Sequence, residues 1–217
     1  MCTVTFLPLS NTDFILTSNR DEDANRKTIA PKVYEDEGVK LVYPKDVIAG
    51  GTWIGLSDKK RLICLLNGGF EKHKRADNYR LSRGVIVKQL LKVDDPVEII
   101  NHFNFEEIEP FTIVLVDWKV SLNAYELVWD GVVKHFKKLD NKPKIWSSST
   151  LYTNDEKQLR RDWFSEWLGE KNNFSQKEII NFHQDNTKGN LETSLRMKRS
   201  YVETVSITSV KKIANAI

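Results

Sequence analysis

Residues 1–17, MCTVTFLPLSNTDFILT, decide how the chain begins to fold. Residues 3–9 are mainly apolar or β-branched, residues 10–13 (SNTD) have the composition of a turn, and residues 14–17 (FILT) resume the apolar run. β-Branched and aromatic residues favour strands, whereas Ser, Asn and Asp favour turns. The stretch therefore predicts a β-hairpin at the start of the chain, with Cys2 at the mouth of its first strand.

Cys2 carries two groups that a hydrolase can use. Loss of Met1, which a small second residue permits, would leave Cys2 with a free α-amino group beside its thiol. The reference pKa of an α-amino group is about 7.7–8.0, which suits a general base near neutral pH. One residue could then supply both the nucleophile and the base, as in N-terminal-nucleophile catalysis. The alternative interpretation is a small, buried, apolar side chain.

Residues 18–22 (SNRDE), of which the last three are charged, directly follow the second predicted strand. In a hairpin the end of the second strand lies beside the start of the first, so we expect Arg20 and Asp21 to lie near Cys2. A cation near a cysteine favours the thiolate, and a carboxylate near an ammonium group orients it. The alternative interpretation is a solvated charged loop.

The rest of the chain predicts two rounds of strands and helices. Asp130-Gly131 is a strong hairpin signal, Asn154 is predicted to cap a helix, and Ser175 with Glu178 resembles a capping box. No element is predicted for the polar residues 20–40. Strands are predicted at residues 47–56, 62–66, 111–117, 122–129, 132–136, 145–147 and 203–210, and helices at 78–92, 96–103, 154–168 and from 175 onward. Paired antiparallel sheets with helices on their outer faces satisfy this order, which predicts an α+β fold.

Composition and charge argue against several classes of function. The chain has 217 residues with 33 basic and 30 acidic side chains, and the net charge of +3 gives no strong case for nucleic-acid or membrane binding. The two cysteines, Cys2 and Cys64, are too few for a disulfide framework and suit a reducing compartment. The sequence shows neither a signal peptide nor an apolar run of about 18 residues. We therefore expect a cytoplasmic protein without a membrane span, and self-association into a homo-oligomer is compatible with the sequence.

No metal or cofactor site is predicted. The four histidines are widely scattered, and no spacing of His, Cys and carboxylate residues resembles a metal site. The sequence also has no Gly-rich phosphate motif and no nucleophile elbow built on Ser.

Four separate motifs carry a family resemblance. They stand in the right order and at suitable spacing: Met1-Cys2, Asn19-Arg20-Asp21-Glu22, Gly50-Gly51-Thr52-Trp53-Ile54-Gly55, and Asn67 at the end of the next strand. With these motifs the chain resembles the NRDE family, also called the Transport and Golgi organisation 2 family. The resemblance is specific over residues 1–69 and implies a single domain over residues 1–217.

The NRDE family in turn resembles cysteine N-terminal nucleophile (Ntn) hydrolases such as bile salt hydrolases and penicillin V acylases. This resemblance implies a four-layer αββα sandwich made of two antiparallel sheets flanked by helices. It also implies an amidohydrolase that cleaves the C–N bond of a linear, non-peptide amide through an acyl-enzyme on Cys2. The expected partner is then a small-molecule amide or acyl substrate, with no cofactor.

The resemblance also implies a role for each matching residue. Cys2 would be the nucleophile and, through its amine, the base, while Arg20 would stabilise the thiolate or the substrate. Asp21 would hold the α-amino group, and the Asn67 side chain would donate to the oxyanion. The acylases have an Arg-x-x-Asp spacing that selects Asp23 instead, whereas the NRDE motif selects Asp21, which we prefer.

Four further positions are less distinctive. Thr52 and Trp53 are predicted to line the substrate pocket, the alternative being that Trp53 belongs to the core. Ser149 stands where relatives carry Asn, and its shorter side chain leaves a second oxyanion or positioning contact open. Arg199 matches the Arg of a Gly-Thr-Arg motif in relatives but lacks the Gly. It is predicted as an active-site cation, the alternative being a solvated charge.

Two other functions remain open at this stage. The first is non-catalytic binding or transport of a small molecule, a lipid or haem in the same pocket, because eukaryotic members of the family are linked to such roles. The second is a structural domain with a degenerate site, which the departures at Ser149 and Arg199 favour.

Overall fold

The described residues of the computed structural model, 3–170, 173–214 and 216–217, form eleven strands and four helices. Cys2, on which the predicted chemistry depends, lies outside the described residues. The strands are β1 (Thr3–Pro8), β2 (Phe14–Glu22), β3 (Thr28–Asp36), β4 (Val39–Asp46), β5 (Ile54–Ser57), β6 (Arg61–Asn67), β7 (Phe111–Asp117), β8 (Asn123–Trp129), β9 (Lys134–Leu139), β10 (Lys144–Ser147) and β11 (Glu203–Lys212). The helices are α1 (Arg83–Lys92), α2 (Pro96–His102), α3 (Asn154–Gly169) and α4 (Gln176–Gln184).

The chain divides into two compact units. The first unit comprises the segment up to Asn25 together with Asn141–Ile217, and the second comprises Arg26–Asp140. Each unit is built on one antiparallel sheet with helices packed against it. The single domain over residues 1–217 stays a prediction.

The sheet of the first unit has four strands in the order β10-β1-β2-β11. The predicted hairpin of β1 and β2 is confirmed, with Thr3 opposite Asn19 and Pro8 opposite Phe14. β2 runs on through Glu22, although residues 18–22 were expected to follow the strand. The reason is that β11 pairs with β2 as far as Glu203 opposite Glu22, so the polar residues gain backbone partners from the other end of the chain.

Helices α3 and α4 pack on this sheet. Their shared core consists of Leu7, Ile15, Phe164, Ile179, Phe182 and Leu195. The predicted capping box of Ser175 and Glu178 is confirmed at the start of α4. Asn154 was predicted to cap α3, but Thr153 is the cap and forms a capping box with Glu156. Asn154 is instead the first helical residue.

The sheet of the second unit has seven strands in the order β3-β4-β5-β6-β7-β8-β9. Its core is formed by aliphatic and aromatic residues of the sheet and of helices α1 and α2. The strand predicted over residues 47–56 is limited to β5, and the helix predicted from residue 78 begins only at Arg83. β3 and β4 occupy much of the polar stretch for which no element was predicted. β3 is an edge strand with mostly exposed side chains, so its sequence lacks the alternation of apolar and polar residues that predicts a strand.

The order of elements agrees with the sequence prediction: strands, two helices, strands, two helices and a final strand. The predicted α+β class, with two antiparallel sheets and four helices, is confirmed. Within the described part of the chain, no helix is long and apolar enough to cross a membrane.

Candidate active site

The tetrad Asn19-Arg20-Asp21-Glu22 lies in strand β2, so its side chains alternate between the two faces of the sheet. Asn19 and Asp21 share the face on which α3 and α4 pack, while Arg20 and Glu22 share the opposite face. Arg20 Nη2 lies 3.8 Å from Glu22 Oε2, and Arg20 is buried. The predicted cation and the predicted carboxylate therefore lie on different sides of one strand.

Asp21 is buried and is held by two hydroxyl groups. Tyr152 donates to Asp21 Oδ2 and Thr204 donates to Oδ1, each over 2.6 Å. Two short hydrogen bonds, one to each oxygen, fix the orientation of this carboxylate. Thr3, the first residue of β1, pairs with Asn19 of β2. Asp21 follows two residues later in β2, so its carboxylate is near the start of β1.

Asp23, the other candidate carboxylate, has different surroundings. It is exposed, and its Oδ1 accepts hydrogen bonds from the backbone and side-chain nitrogens of Asn25 at 2.8 and 3.1 Å. This arrangement is a local turn of the loop after β2. Of the two aspartates, Asp21 is buried and held by hydroxyl groups of distant elements, whereas Asp23 is exposed and held within its own loop.

Asn19 joins β2 to helix α4 through a buried histidine. The Asn19 amide nitrogen donates to the carbonyl oxygens of His183 and Leu195 at 3.1 and 2.7 Å, so its Oδ1 faces His183 Nδ1 at 2.6 Å. Nδ1 therefore carries the proton, and Nε2 accepts from the Thr5 hydroxyl at 2.8 Å. Burial, assisted by the positive charge of Arg160, lowers the pKa of His183 to about 3. The imidazole is neutral at physiological pH.

Arg160 of α3 is fully buried. Its Nη1 donates to Thr3 Oγ1 at 2.6 Å, and its Nη2 donates to the carbonyl oxygens of Ser194 and Thr193 at 2.6 and 2.9 Å. Its Cζ lies 3.5 Å from the centre of the Tyr152 ring, whose hydroxyl donates to Asp21. Among the described residues, no carboxylate lies within ion-pairing distance of this guanidinium, and its Nε has no hydrogen-bond partner.

Arg199 lies on the other side of the same tyrosine. Its Cζ is 5.4 Å from the centre of the Tyr152 ring, its Nη2 lies 2.9 Å from Glu156 Oε1, and its Nη1 donates to the carbonyl oxygen of Leu151 at 2.8 Å. Its Nε donates to the carbonyl oxygen of Glu192. The charge of Arg199 is therefore compensated by a carboxylate at the start of α3.

Ser149 is buried in the turn between β10 and α3. In the same turn the Ser148 and Thr150 hydroxyls lie 2.9 Å apart, and the Tyr152 N–H donates to the Ser148 carbonyl oxygen at 3.1 Å. This turn places Tyr152 under Arg160 and next to Asp21.

The remaining predicted residues belong to the second unit. Thr52 is buried and donates to the Ile54 carbonyl oxygen at 2.8 Å, and Trp53 is buried as well. Before them, the Gly51 backbone lies so close to α1 that a Cβ there would be 2.9 Å from Gly84 Cα. The two glycines thus let the Thr52-Trp53 segment approach the helix.

Asn67 is the last residue of β6 and pairs with Phe111. The next residue, Gly68, has φ of 86°, which a residue with a side chain rarely adopts. The Gly68 N–H donates to the Pro110 carbonyl oxygen at 2.9 Å, and the Thr112 hydroxyl donates to the Gly68 carbonyl oxygen at 3.1 Å. The backbone that follows Asn67 is therefore well fixed.

Sequence reasoning missed four residues around Asp21: Tyr152, Arg160, His183 and Thr204. Each contacts the β1–β2 hairpin from more than 130 positions away in the chain. No signal in the sequence singles them out, since an arginine in the middle of the helix predicted over residues 154–168 has the pattern of a solvated charge. The described residues contain no group of three or more His, Cys, Asp and Glu side chains that could hold a metal ion.

The fold is similar to that of known amide hydrolases. It superposes on the Caenorhabditis elegans ortholog of N-acylethanolamine-hydrolyzing acid amidase with a TM-score of 0.52 and 16% sequence identity, over 83% of this chain and 84% of that chain. A variant of conjugated bile acid hydrolase from Clostridium perfringens gives 0.45 at 10% identity, over 76% of this chain and 57% of that chain. Penicillin V acylase from Agrobacterium tumefaciens gives 0.41 at 12% identity, with the same coverage of 76% and 57%. No curated protein sequence matches the chain.

The likeness to the amidase, at 16% identity, concerns the fold alone and defines the class of protein as an α+β fold of two antiparallel sheets. The sequence gives the narrower assignment. The pattern of the family Transport and Golgi organisation 2 matches residues 1–214, so the chain belongs to that family. The resemblance of the NRDE motifs is thereby confirmed.

Proposed function

We propose that the chain is an N-terminal nucleophile amidohydrolase that cleaves the C–N bond of a linear, non-peptide amide. The observation that carries the proposal is the buried carboxylate of Asp21, held by Tyr152 and Thr204 over 2.6 Å each beside the start of β1. A carboxylate fixed in this way can orient the α-ammonium group of a nucleophile at the chain terminus.

In the proposed reaction, the Cys2 thiol attacks the carbonyl carbon of the amide while its own α-amine takes the thiol proton. The carbonyl oxygen becomes an oxyanion, to which the Asn67 side chain donates a hydrogen bond. When the C–N bond breaks, the proton passes to the leaving amine and a thioester remains on Cys2. Water then attacks the thioester and releases the carboxylic acid, which regenerates the thiol.

The other residues support this centre. Arg20 supplies a positive charge that favours the thiolate or binds the substrate, and Asp21 orients the amine. Thr52, Trp53 and Ser149 are proposed as substrate-binding residues. Arg199 is proposed as a further residue of the site, beside the Tyr152 ring at 5.4 Å from its centre, although Glu156 compensates its charge.

The substrate class rests on chemistry and on the likeness of fold. The amidase from Caenorhabditis elegans, by its description, hydrolyses N-acylethanolamines, and it has the same fold as this chain. We therefore propose small N-acyl amides as substrates. The presence of only two cysteines fits a reducing compartment, and we place the activity in the cytoplasm.

The test combines intact-protein mass with a hydrolysis assay. The mass shows whether Met1 is absent, and peptide mapping after reaction with a thiol-directed acylating probe compares Cys2 with Cys64. Cys64 is buried in β6 and serves as the internal control. Hydrolysis is then followed with acyl amides of a fluorescent amine that carry short or long acyl chains.

We expect Met1 to be absent, Cys2 to be labelled selectively, and hydrolysis to disappear in Cys2→Ala. Retention of Met1 on active protein, or undiminished hydrolysis by Cys2→Ala, would contradict the mechanism. Saturable binding of acyl amides without cleavage would instead favour the carrier function considered from the sequence.

A further inference from the structure

The first unit contains a fully buried arginine whose charge has no matching carboxylate among the described residues. Removing an unpaired charge from water costs several kcal/mol, and an apolar side chain of similar volume is often as stable or more so. Arg160 nevertheless occupies such a position and donates only to one hydroxyl and two carbonyl oxygens. Fold stability alone is therefore a weak reason for a guanidinium at this site.

The contacts of Arg160 lead to the proposed catalytic centre by two routes. One arm of its guanidinium donates to Thr3 Oγ1 at 2.6 Å, and Thr3 is the residue that follows Cys2 in the chain. The plane of the guanidinium covers the Tyr152 ring at 3.5 Å, and the hydroxyl of that ring donates to Asp21. One side chain thus fixes both the first residue of β1 and the donor to the carboxylate.

We propose that Arg160 is a positioning residue that sets the nucleophile at residue 2 and the carboxylate of Asp21 in register with each other. This inference rests on the proposed function, because it assigns Arg160 to the same site. The guanidinium fork holds Thr3 and the ring at once, which the single ammonium of a lysine cannot do. Small displacements of reacting groups are costly, since about 1 Å can reduce the rate about 10²-fold.

The charge of Arg160 is the second part of the proposal. The charged or titratable groups around it are Asp21, the neutral His183, and Arg199 with its partner Glu156. Because Arg199 is paired with Glu156, its positive charge is compensated, whereas that of Arg160 is not. If the positioning brings this uncompensated cation near the thiol of residue 2, it favours the thiolate form, and the pH midpoint of alkylation measures that effect.

The experiment measures how fast Cys2 reacts with iodoacetamide as a function of pH, by intact mass and peptide mapping. The variants are Arg160→Lys and Arg160→Met, together with Thr3→Val and Tyr152→Phe, which each remove one route while keeping the shape of the side chain. Arg61→Met, which removes a buried arginine from the second unit, is the matched control. Circular dichroism restricts the comparison to folded protein.

We expect Arg160→Met to slow the alkylation of Cys2 about 10–100-fold at pH 7 and to move its pH midpoint upward. Arg160→Lys should restore the midpoint but only part of the rate. Thr3→Val and Tyr152→Phe should each slow the reaction several-fold, and folded Arg61→Met should react as the unmodified chain does.

The proposal is overturned if folded Arg160→Met matches the unmodified chain in rate and midpoint within about twofold. If that variant does not fold, Thr3→Val and Tyr152→Phe decide, and unchanged reactivity in both rejects the proposal. A fast, Arg160-dependent alkylation without hydrolysis of any amide would refute the proposed function and retain the positioning role. Amide hydrolysis whose rate does not change when Arg160 is replaced would support the proposed function and refute the positioning role.

Discussion

Each unit of the molecule contains one fully buried arginine, and the two differ in what surrounds the charge. Arg61 of the second unit donates to the carbonyl oxygens of Leu90 and Val93 at 2.7 Å and lies 3.5 Å from Asp117 Oδ2. It closes the C-terminal end of α1 and has a carboxylate beside it. Arg160 donates to carbonyl oxygens and to the Thr3 hydroxyl, and no described carboxylate lies within ion-pairing distance of it. The comparison contrasts an arginine that stabilises a helix end with one for which we propose a positioning role.

The largest expected effect tests this contrast through stability. Arg61→Met leaves the partly buried Asp117 without its cation and the end of α1 without donors, so we expect a loss of about 3–5 kcal/mol in the free energy of unfolding. Arg160→Met leaves no carboxylate unpaired, and we expect a loss of only about 1–3 kcal/mol. Urea denaturation measures both. A larger loss of stability for Arg160→Met than for Arg61→Met would contradict this contrast between the two arginines.

The second prediction concerns the carboxylate of Asp21, which accepts a hydrogen bond from Tyr152, the ring beneath Arg160. Asp21→Asn removes the charge that orients the proposed nucleophile, and we expect amide hydrolysis to fall about 10²-fold or more. Asp23→Asn changes only an exposed turn, and we expect hydrolysis to change less than twofold. Steady-state kinetics of both variants decides between the two aspartates, and the opposite ranking would select Asp23.

The third prediction uses the buried histidine of the first unit. Burial lowers the pKa of His183 from 6.5 to about 3 in the folded chain, so the unfolded chain takes up a proton first as the pH falls. The stability contribution is therefore complete above about pH 6.5 and is lost as the pH falls towards 3, by about 1.4 kcal/mol per pH unit.

Urea denaturation between about pH 5 and 6.5, above the usual range of carboxylate pKa values, isolates this slope. The control is His183→Gln, which does not titrate. We expect it to be less stable at pH 7.5 but to show a flatter dependence on pH. Parallel curves for the two proteins would show that His183 does not cause the dependence.

The smallest expected effect compares two helix starts. Thr153 accepts from the Glu156 N–H in the capping box of α3, whereas Ser82 makes no side-chain capping bond at α1. Thr153→Ala should cost about 1 kcal/mol, and Ser82→Ala should stay within a few tenths. Thermal denaturation measures the two changes. Equal losses would mean that capping does not distinguish the two helices.

The sequence was informative where neighbouring residues determine structure. The hairpin of β1 and β2, strand β7 at residues 111–117, and the capping box at Ser175 were all predicted because turn residues, apolar runs and caps are local signals. β3 was missed because it is an exposed edge strand. The last residues of β2 were missed because their strand partner, β11, comes from the other end of the chain.

The same limit applies to the candidate site. The family motifs selected Asp21, which proved to be buried and doubly hydrogen-bonded. They gave no indication of Tyr152, Thr204 or Arg160, because nothing local to those residues shows which side chain they will meet after folding. A buried arginine on a helix reads in sequence as a solvated charge.

The pairing of β11 with β2 also governs when the site can be assembled during synthesis. Thr204 lies 183 positions after Asp21, so the carboxylate receives its second hydroxyl only after residue 204 has left the ribosome. Domains generally fold as units while the chain is being made, and contacts distant in sequence form last. A ribosome-bound chain stalled before residue 203 therefore carries the NRDE motif without the strand that pairs with it, and Asp21 lacks the hydroxyl of Thr204 until β11 has been made.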